Sequence, residues 1–221
     1  MAVPIKIDIV SDVSCPWCII GYRALDMALN NVGDQVKADI HWQPFELNPN
    51  MPVEGQELRE HIQEKYGATA EQSVAARQMI VDRGAEVGFD FNFQEGARIY
   101  NTFDAHRLLY WAEAQGRQTE LKLAFFNLYF CEAGNPSSHQ DLCKAVKEVG
   151  LDADEALATL QSDRYSTEVR ELQQRYRSMN ITAVPAFILN DKYLINGGQP
   201  VEVFETAINN LLNEKNNNAV N

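Results

Sequence analysis

The chain has 221 residues, 45% of them hydrophobic, with a formal net charge of -12 and a sequence pI of about 4.8. That is enough apolar material for one large domain, or for one domain carrying an insertion. A surface this acidic repels a phosphate backbone, which argues against nucleic acid as a partner. The most apolar run, Leu121 to Cys131, is broken by Lys122 and Asn127 and is too short to span a bilayer, which argues against the membrane.

Ile5, Ile7 and Ile9 alternate with Lys6, Asp8 and Val10, the pattern of a mostly buried strand. Met1 to Val10 lacks the basic start and apolar stretch of a secretory signal, so the expected location is the cytoplasm. Ser11 to Ser14 make a turn, and Pro16 stands where a helix can begin, because its missing N–H is not needed in the first turn. Ala24, Leu25, Ala28 and Leu29 give that helix one apolar face, and it stops near Gly33. Val36 to Phe45 reads as a second strand, with Ile40 and Trp42 on one side.

The middle of the chain is helical in pattern, over Glu57 to Tyr66, Ala70 to Val87, Asn101 to Ala114 and Glu120 to Glu132. Leu142, Ala145, Val146 and Val149 mark a further helix closed by Gly150. Asp152 and Glu155 form a capping-box pattern ahead of Ala156, Leu157 and Leu160, and Val169, Leu172, Tyr176 and Met179 mark one more helix. Ala186 to Leu189 and Lys192 to Ile195 then read as a hairpin about Asn190-Asp191, and Pro200 starts a last helix with Val201, Phe204, Ile208 and Leu211 on its buried face.

The order is strand, helix, strand, a long helical stretch, strand, strand, helix, which makes the fold class α/β. With residues 55–180 set apart as an inserted helical domain, residues 1–54 and 181–214 leave a β-α-β…β-β-α unit, and the asparagine-rich residues 215–221 read as a disordered tail.

Cys15-Pro16-Trp17-Cys18 carries the chemistry. A C-x-x-C motif chelates zinc, forms a redox pair, or is two core cysteines. This one follows a strand and opens a helix, so Cys15 falls at the N-cap, where free N–H groups and the positive end of the helix dipole stabilise a thiolate. Cys18 lies beneath it on the first turn, placed to attack a mixed disulfide at Cys15. Pro16 stiffens the turn and Trp17 offers a flat apolar surface to a substrate. Zinc needs two more ligands, and the remaining cysteines, Cys131 and Cys143, are spaced C-x11-C rather than as a second close pair; no metal is expected. Four cysteines are also too few to staple a chain of this length. Val184-Pro185 precedes the apolar run of the hairpin and reads either as a trans-proline at a strand start or as a cis-proline packed opposite the cysteines; cis accounts for about 5–6% of X-Pro bonds.

These residues resemble the DsbA-like branch of the thioredoxin superfamily, and within it the FrnE-like group. The resemblance is carried by Ser11 to Cys18, Pro44 to Pro49, Asn101 to Arg107 and Ile195 to Pro200, in that order and across nearly the whole chain. It implies a thioredoxin-like fold with a large all-helical insertion over the active site, a cis Val184-Pro185 bond, and a Val184 backbone that pairs with an extended substrate beside Cys15. It implies a thiol–disulfide oxidoreductase with Cys15 as nucleophile and Cys18 resolving, and with Pro16, Trp17, Val184, Pro185, His106 and Gln199 at the substrate. There are departures: Ala183 stands where the family usually has Gly, and Asn196-Gly197-Gly198-Gln199 replaces its usual Ser-Gly-Ala-Gln. The dipeptide Pro16-Trp17 lacks the histidine of strongly oxidising DsbA enzymes, so the pair is expected to be less oxidising than their potential of about -120 mV.

His106 lies on an apolar helix and reads equally as a groove-lining group or a core histidine. Cys131 and Cys143 read as two small buried hydrophobes ahead of a regulatory disulfide. Expected partners are protein or small-molecule thiols and disulfides, with no resident cofactor and glutathione at most as co-substrate. The alternative activity is a glutathione-dependent isomerase or transferase of the hydroxychromene carboxylate isomerase type. A non-catalytic binding module, with or without a stabilising zinc, is the third reading.

Overall fold

The computed structural model describes residues 2–219. It opens with β1 (Val3–Ser11), α1 (Pro16–Val32) and β2 (Val36–Pro44), with a short 3-10 turn, Gly33–Gln35, before β2. Two residues of β3 (Gln56–Glu57) lead into α2 (Leu58–Tyr66) and α3 (Ala70–Glu86), and two of β4 (Arg98–Ile99) into α4 (Phe103–Glu113). Then come α5 (Gln118–Phe130), α6 (His139–Glu148), α7 (Ala153–Leu160) and α8 (Ser166–Ser178), the hairpin of β5 (Ala186–Leu189) and β6 (Tyr193–Asn196), and α9 (Val201–Ala219).

The main sheet runs β2-β1-β5-β6, with β1 parallel to β2 and antiparallel to β5. β1 is central, and its apolar residues face two ways because both sheet faces are covered. Ile5, Ile7 and Ile9 pack with α1, α9 and the Trp42 ring, while Val10 joins Phe45, Tyr176 and Ile188 under α8. A separate core ties α4, α5, α6 and α7 together around Leu108, Phe125 and Leu142. α5 serves both layers: Phe126 and Phe130 enter the sheet core and Phe125 the helical one. An all-round apolar helix is what such a position requires.

Two expectations change. The β3–β4 ladder, in which Gln56 pairs with Ile99 and Glu57 with Arg98, was not foreseen; two residues are too few to show an alternation. The tail expected from residue 215 is instead helical as far as Ala219, and residues 220 and 221 lie outside the described residues. No Gly or Pro interrupts this stretch, and Lys192 and Tyr193 of the hairpin both bind Glu214, anchoring α9 one turn before its end.

One packing point is sharp enough to test. A Cβ on Gly21 of α1 would stand 2.9 Å from the ring of Phe187 and 3.2 Å from the Gly198 Cα. Phe187 is wholly buried against Phe204 and cannot swing away. Gly21→Ala is expected to lower stability by about 1–3 kcal/mol in urea unfolding. A gain in stability would show that the α1–β5 packing is looser than this.

Candidate active site

β1 ends at Ser11, the Cys15 N–H reaches back 3.2 Å to the Asp12 carbonyl, and α1 begins at Pro16. Cys15 is therefore the N-cap, extended at φ -95° and ψ 112°, with its Sγ free of capping duty. That Sγ lies 3.7 Å from the Val184 carbonyl oxygen, and the Val184–Pro185 peptide bond is cis. Cys18 is fully buried on the first turn of α1. All four cysteines are free thiols.

A groove of about 960 Å³ opens over the motif. Cys15, Pro16, Trp17 and Val184 line it, and α2, α3 and the segment before β4 form its far wall; Cys18 and Pro185 lie behind the surface. Thus one thiol of the pair meets the groove and the other does not.

Sequence reasoning passed over three buried polar residues at the site, Asp12 and Lys122 beside the thiol pair and Glu46 in the groove lining. Asp12, 1% exposed, accepts the Leu47 N–H at 2.8 Å and the Ser14 N–H at 3.5 Å, so one carboxylate ties the motif loop to the groove wall. Lys122 of α5 is 1% exposed, its ammonium 4.9 Å from the Phe126 ring centre and 5.3 Å from that of Trp42. Glu46, buried, is held by Arg170 and by Gln173 at 3.0 Å. The available signal for Lys122 was its helix, where it stands among the apolar Leu121, Phe125, Phe126 and Phe130.

The electrostatics follow from this burial. Burial pushes the Asp12 carboxyl up, but its contact with His106, the Leu47 N–H and the Lys122 charge outweigh that and hold it below the ordinary carboxylate value. Burial also brings Lys122 down to about 8. The two thiols titrate as a unit. Burial of Cys18 raises it, but a hydrogen bond from Cys15, the Lys122 charge and the Ser11 hydroxyl outweigh that and hold Cys18 below the usual thiol value. The proton left on Cys15 is held far more tightly, by that same hydrogen bond and by burial. The expected low-pKa thiolate on Cys15 alone is thus revised: of the two thiols, Cys18 is the one favoured to ionise first. Passing a proton across the Cys15–Cys18 hydrogen bond brings that charge to the groove, where the Cys18 N–H also favours it.

Two expected substrate contacts are corrected. His106 is 2% exposed and lies under the motif, Nε2 3.4 Å from Asp12, away from the groove. Its polar ring is drawn to the buried carboxylate. Gln199 does not reach the groove either; its amide donates 2.8 Å to the Asn196 carbonyl, and Gly198 before it backs onto Trp17, where a Cβ would meet the Trp17 carbonyl at 3.1 Å. Cys131 and Cys143 are half-buried rather than buried and pack against different cores. Among the described residues no group of three or more Cys, His, Asp and Glu is arranged to hold a metal, and no helix is long and apolar enough to cross a membrane.

Residues 6–209 match the family described as DSBA-like thioredoxin domain. The uncharacterized protein YwbO of Bacillus subtilis (strain 168) is 28% identical over 205 residues, covering 92% of this chain and 96% of YwbO. The crystal structure of the probable DsbA oxidoreductase SCO1869 of Streptomyces coelicolor superposes with a TM-score of 0.85 at 30% identity, covering 92% of this chain and 88% of that one. The cytosolic disulfide reductase DsbM of Pseudomonas aeruginosa, solved with GSH, shares the fold at a TM-score of 0.65 and 14% identity, covering 94% of this chain and 99% of DsbM.

Proposed function

From the premise that this chain belongs to the DSBA-like thioredoxin domain family, we propose that it exchanges disulfides through Cys15 and Cys18, with Cys15 as nucleophile and Cys18 resolving. The observation that carries this reading is the sorting of the two thiols: both are buried, but Cys15, 3% exposed, lines the groove beside the Val184 carbonyl, and the fully buried Cys18 does not. A substrate disulfide can reach only the first.

The Cys15 thiolate attacks one sulfur of the substrate disulfide; that S–S bond breaks, and the departing thiolate takes a proton from water. Cys18 then loses its proton and attacks Cys15 Sγ. The mixed disulfide breaks, the second substrate thiol leaves, and the protein holds a Cys15–Cys18 disulfide while the substrate has gained two electrons. Run backward, the same steps oxidise a dithiol, and the potentials of the two couples set the direction. Pro16, Trp17, Val184 and Pro185 shape the docking site. Glutathione is the proposed co-substrate and the cytoplasm the proposed setting, as the low cysteine count favours. Membership of the FrnE-like group rests on the four sequence stretches that carry the resemblance.

Cys18→Ser is expected to accumulate a mixed disulfide on Cys15 when given a small disulfide, and Cys15→Ser to accumulate none, as read by intact and peptide mass spectrometry. An adduct on Cys18 in the wild type, or no adduct in Cys18→Ser, would sink the assigned roles. The isomerase alternative has no use for a resolving thiol behind the nucleophile, and predicts full turnover by Cys18→Ser. In glutathione buffers the wild type is expected to show a reversible two-electron transition at a potential below about -120 mV.

A further inference from the structure

The charge lining the groove runs against the charge of the chain. The protein has a net charge of -12, yet the groove carries Lys65, Arg77, Arg98 and Arg177 against two carboxylates, Glu46 and Glu95. Glu46 is already taken by Arg170. Elsewhere, Lys6, Arg23, Arg83, Arg117, Lys144 and Lys192 stand against Asp or Glu.

The four groove cations have no such partner among the described residues. Lys65 donates to the Leu47 carbonyl at 3.0 Å and to Asn48 at 2.7 Å. Arg98 donates to the carbonyls of Glu54 and Gly55, each at 3.1 Å. The Arg77 guanidinium stands 5.6 Å from the Phe93 ring centre, and that of Arg177 stands 6.0 Å from Phe45. Neutral carbonyls and aromatic faces position these cations without cancelling them. A concave wall of unpaired positive charge on low-dielectric aromatic surface concentrates anions. The volume of about 960 Å³ falls at the large end of small-molecule sites.

We propose that the groove selects a small amphipathic anion, a thiol or disulfide with an apolar, aromatic-sized body and at least one carboxylate. The carboxylate is drawn to the wall of Lys65, Arg77, Arg98 and Arg177, and the apolar body lies on Trp17, Phe93 and Phe130. This rests on the disulfide-exchange reading only in placing the sulfur of that ligand at Cys15.

The test uses a probe with no S–S bond, so that it does not depend on thiol chemistry. Binding of the thioether 4,4'-thiodibenzoate and of its neutral diamide is measured by calorimetry on the full-length protein at low and high salt. The dicarboxylate is expected to bind about tenfold more tightly than the diamide, with the preference shrinking as salt screens it. In the double variant Lys65→Gln, Arg77→Gln the preference should fall by about fivefold or more while diamide binding changes less than about twofold. Arg177→Gln, an exposed change on a different helix, should lower the preference on its own, which keeps the test valid if the double variant unfolds. Equal binding of the two probes, or an unchanged preference in the variants, would overturn the proposal. Failure of disulfide exchange itself would appear separately, as the missing adduct in Cys18→Ser.

Discussion

Asp12→Ala is expected to lower the folding free energy by about 3–5 kcal/mol, the loss typical of removing one partner from a buried charge pair. The carboxylate is 1% exposed, and the change strands the Leu47 N–H, the contact to His106 and the buried Lys122 ammonium together. Because Leu47 lines the groove, the loss should also loosen the wall beside Cys15. Urea unfolding at neutral pH measures the first effect; a loss below about 1 kcal/mol would mean that water replaces the carboxylate freely. The pH dependence follows in sign. The folded carboxyl titrates below its ordinary value of 3.8, so its contribution is fully present above that value and is lost as the pH falls below it through the lowered folded value. Acid unfolding of the wild type should therefore draw on this group only below pH 3.8, and the Asp12→Ala variant should lack that part of the transition.

Lys122→Met should act in opposite directions on stability and chemistry. The ammonium is 1% exposed and its burial is the largest influence on it. Its folded value of about 8 lies below the ordinary 10.5. Below pH 8 both folded and unfolded chains carry the charge, and the folded state bears the full cost of desolvating it. Between 8 and 10.5 the unfolded chain binds more protons, so this contribution to stability rises with pH and then levels off. Because burial outweighs the attraction of Lys122 to Asp12 and the two thiols, replacing it by an apolar side chain of similar length should raise stability at pH 7 by about 1–3 kcal/mol. That advantage should shrink as the pH passes from 8 toward 10.5.

The same variant loses the cation that favours ionisation of the thiol pair. Alkylation of Cys15 at pH 7 should slow by about three- to tenfold, and its alkaline limb should move up by up to about one pH unit. A variant that is both less stable and equally reactive would contradict the electrostatic role given to Lys122. The opposed effects are what a buried charge kept for reactivity produces.

The strand, the turn and the start of α1 were legible because every signal is local: Ile5, Ile7 and Ile9 alternate, and Pro16 presets the first turn. The Val184–Pro185 bond is different. Propensity alone favoured trans, and only the resemblance pointed to cis, because the isomer is set by packing across the sheet rather than by the dipeptide. His106 and Gln199 were placed at the substrate by their neighbours in sequence; His106 turns inward toward Asp12, and Gln199 turns back to the Asn196 carbonyl at the surface.

By itself, the sequence determined the α/β class, the order of the long elements and the placement of Cys15 at a helix start, since side-chain periodicity and turn chemistry act within a few residues. Only the tertiary structure decided what surrounds the thiols. Asp12, Lys122 and Trp42 come from a loop, a helix and a strand far apart in the chain, and Lys65, Arg77, Arg98 and Arg177 line one groove only once α2, α3, β4 and α8 have packed. Burial of a charge, and the company it keeps there, depends on contacts between distant segments, and no local pattern records them.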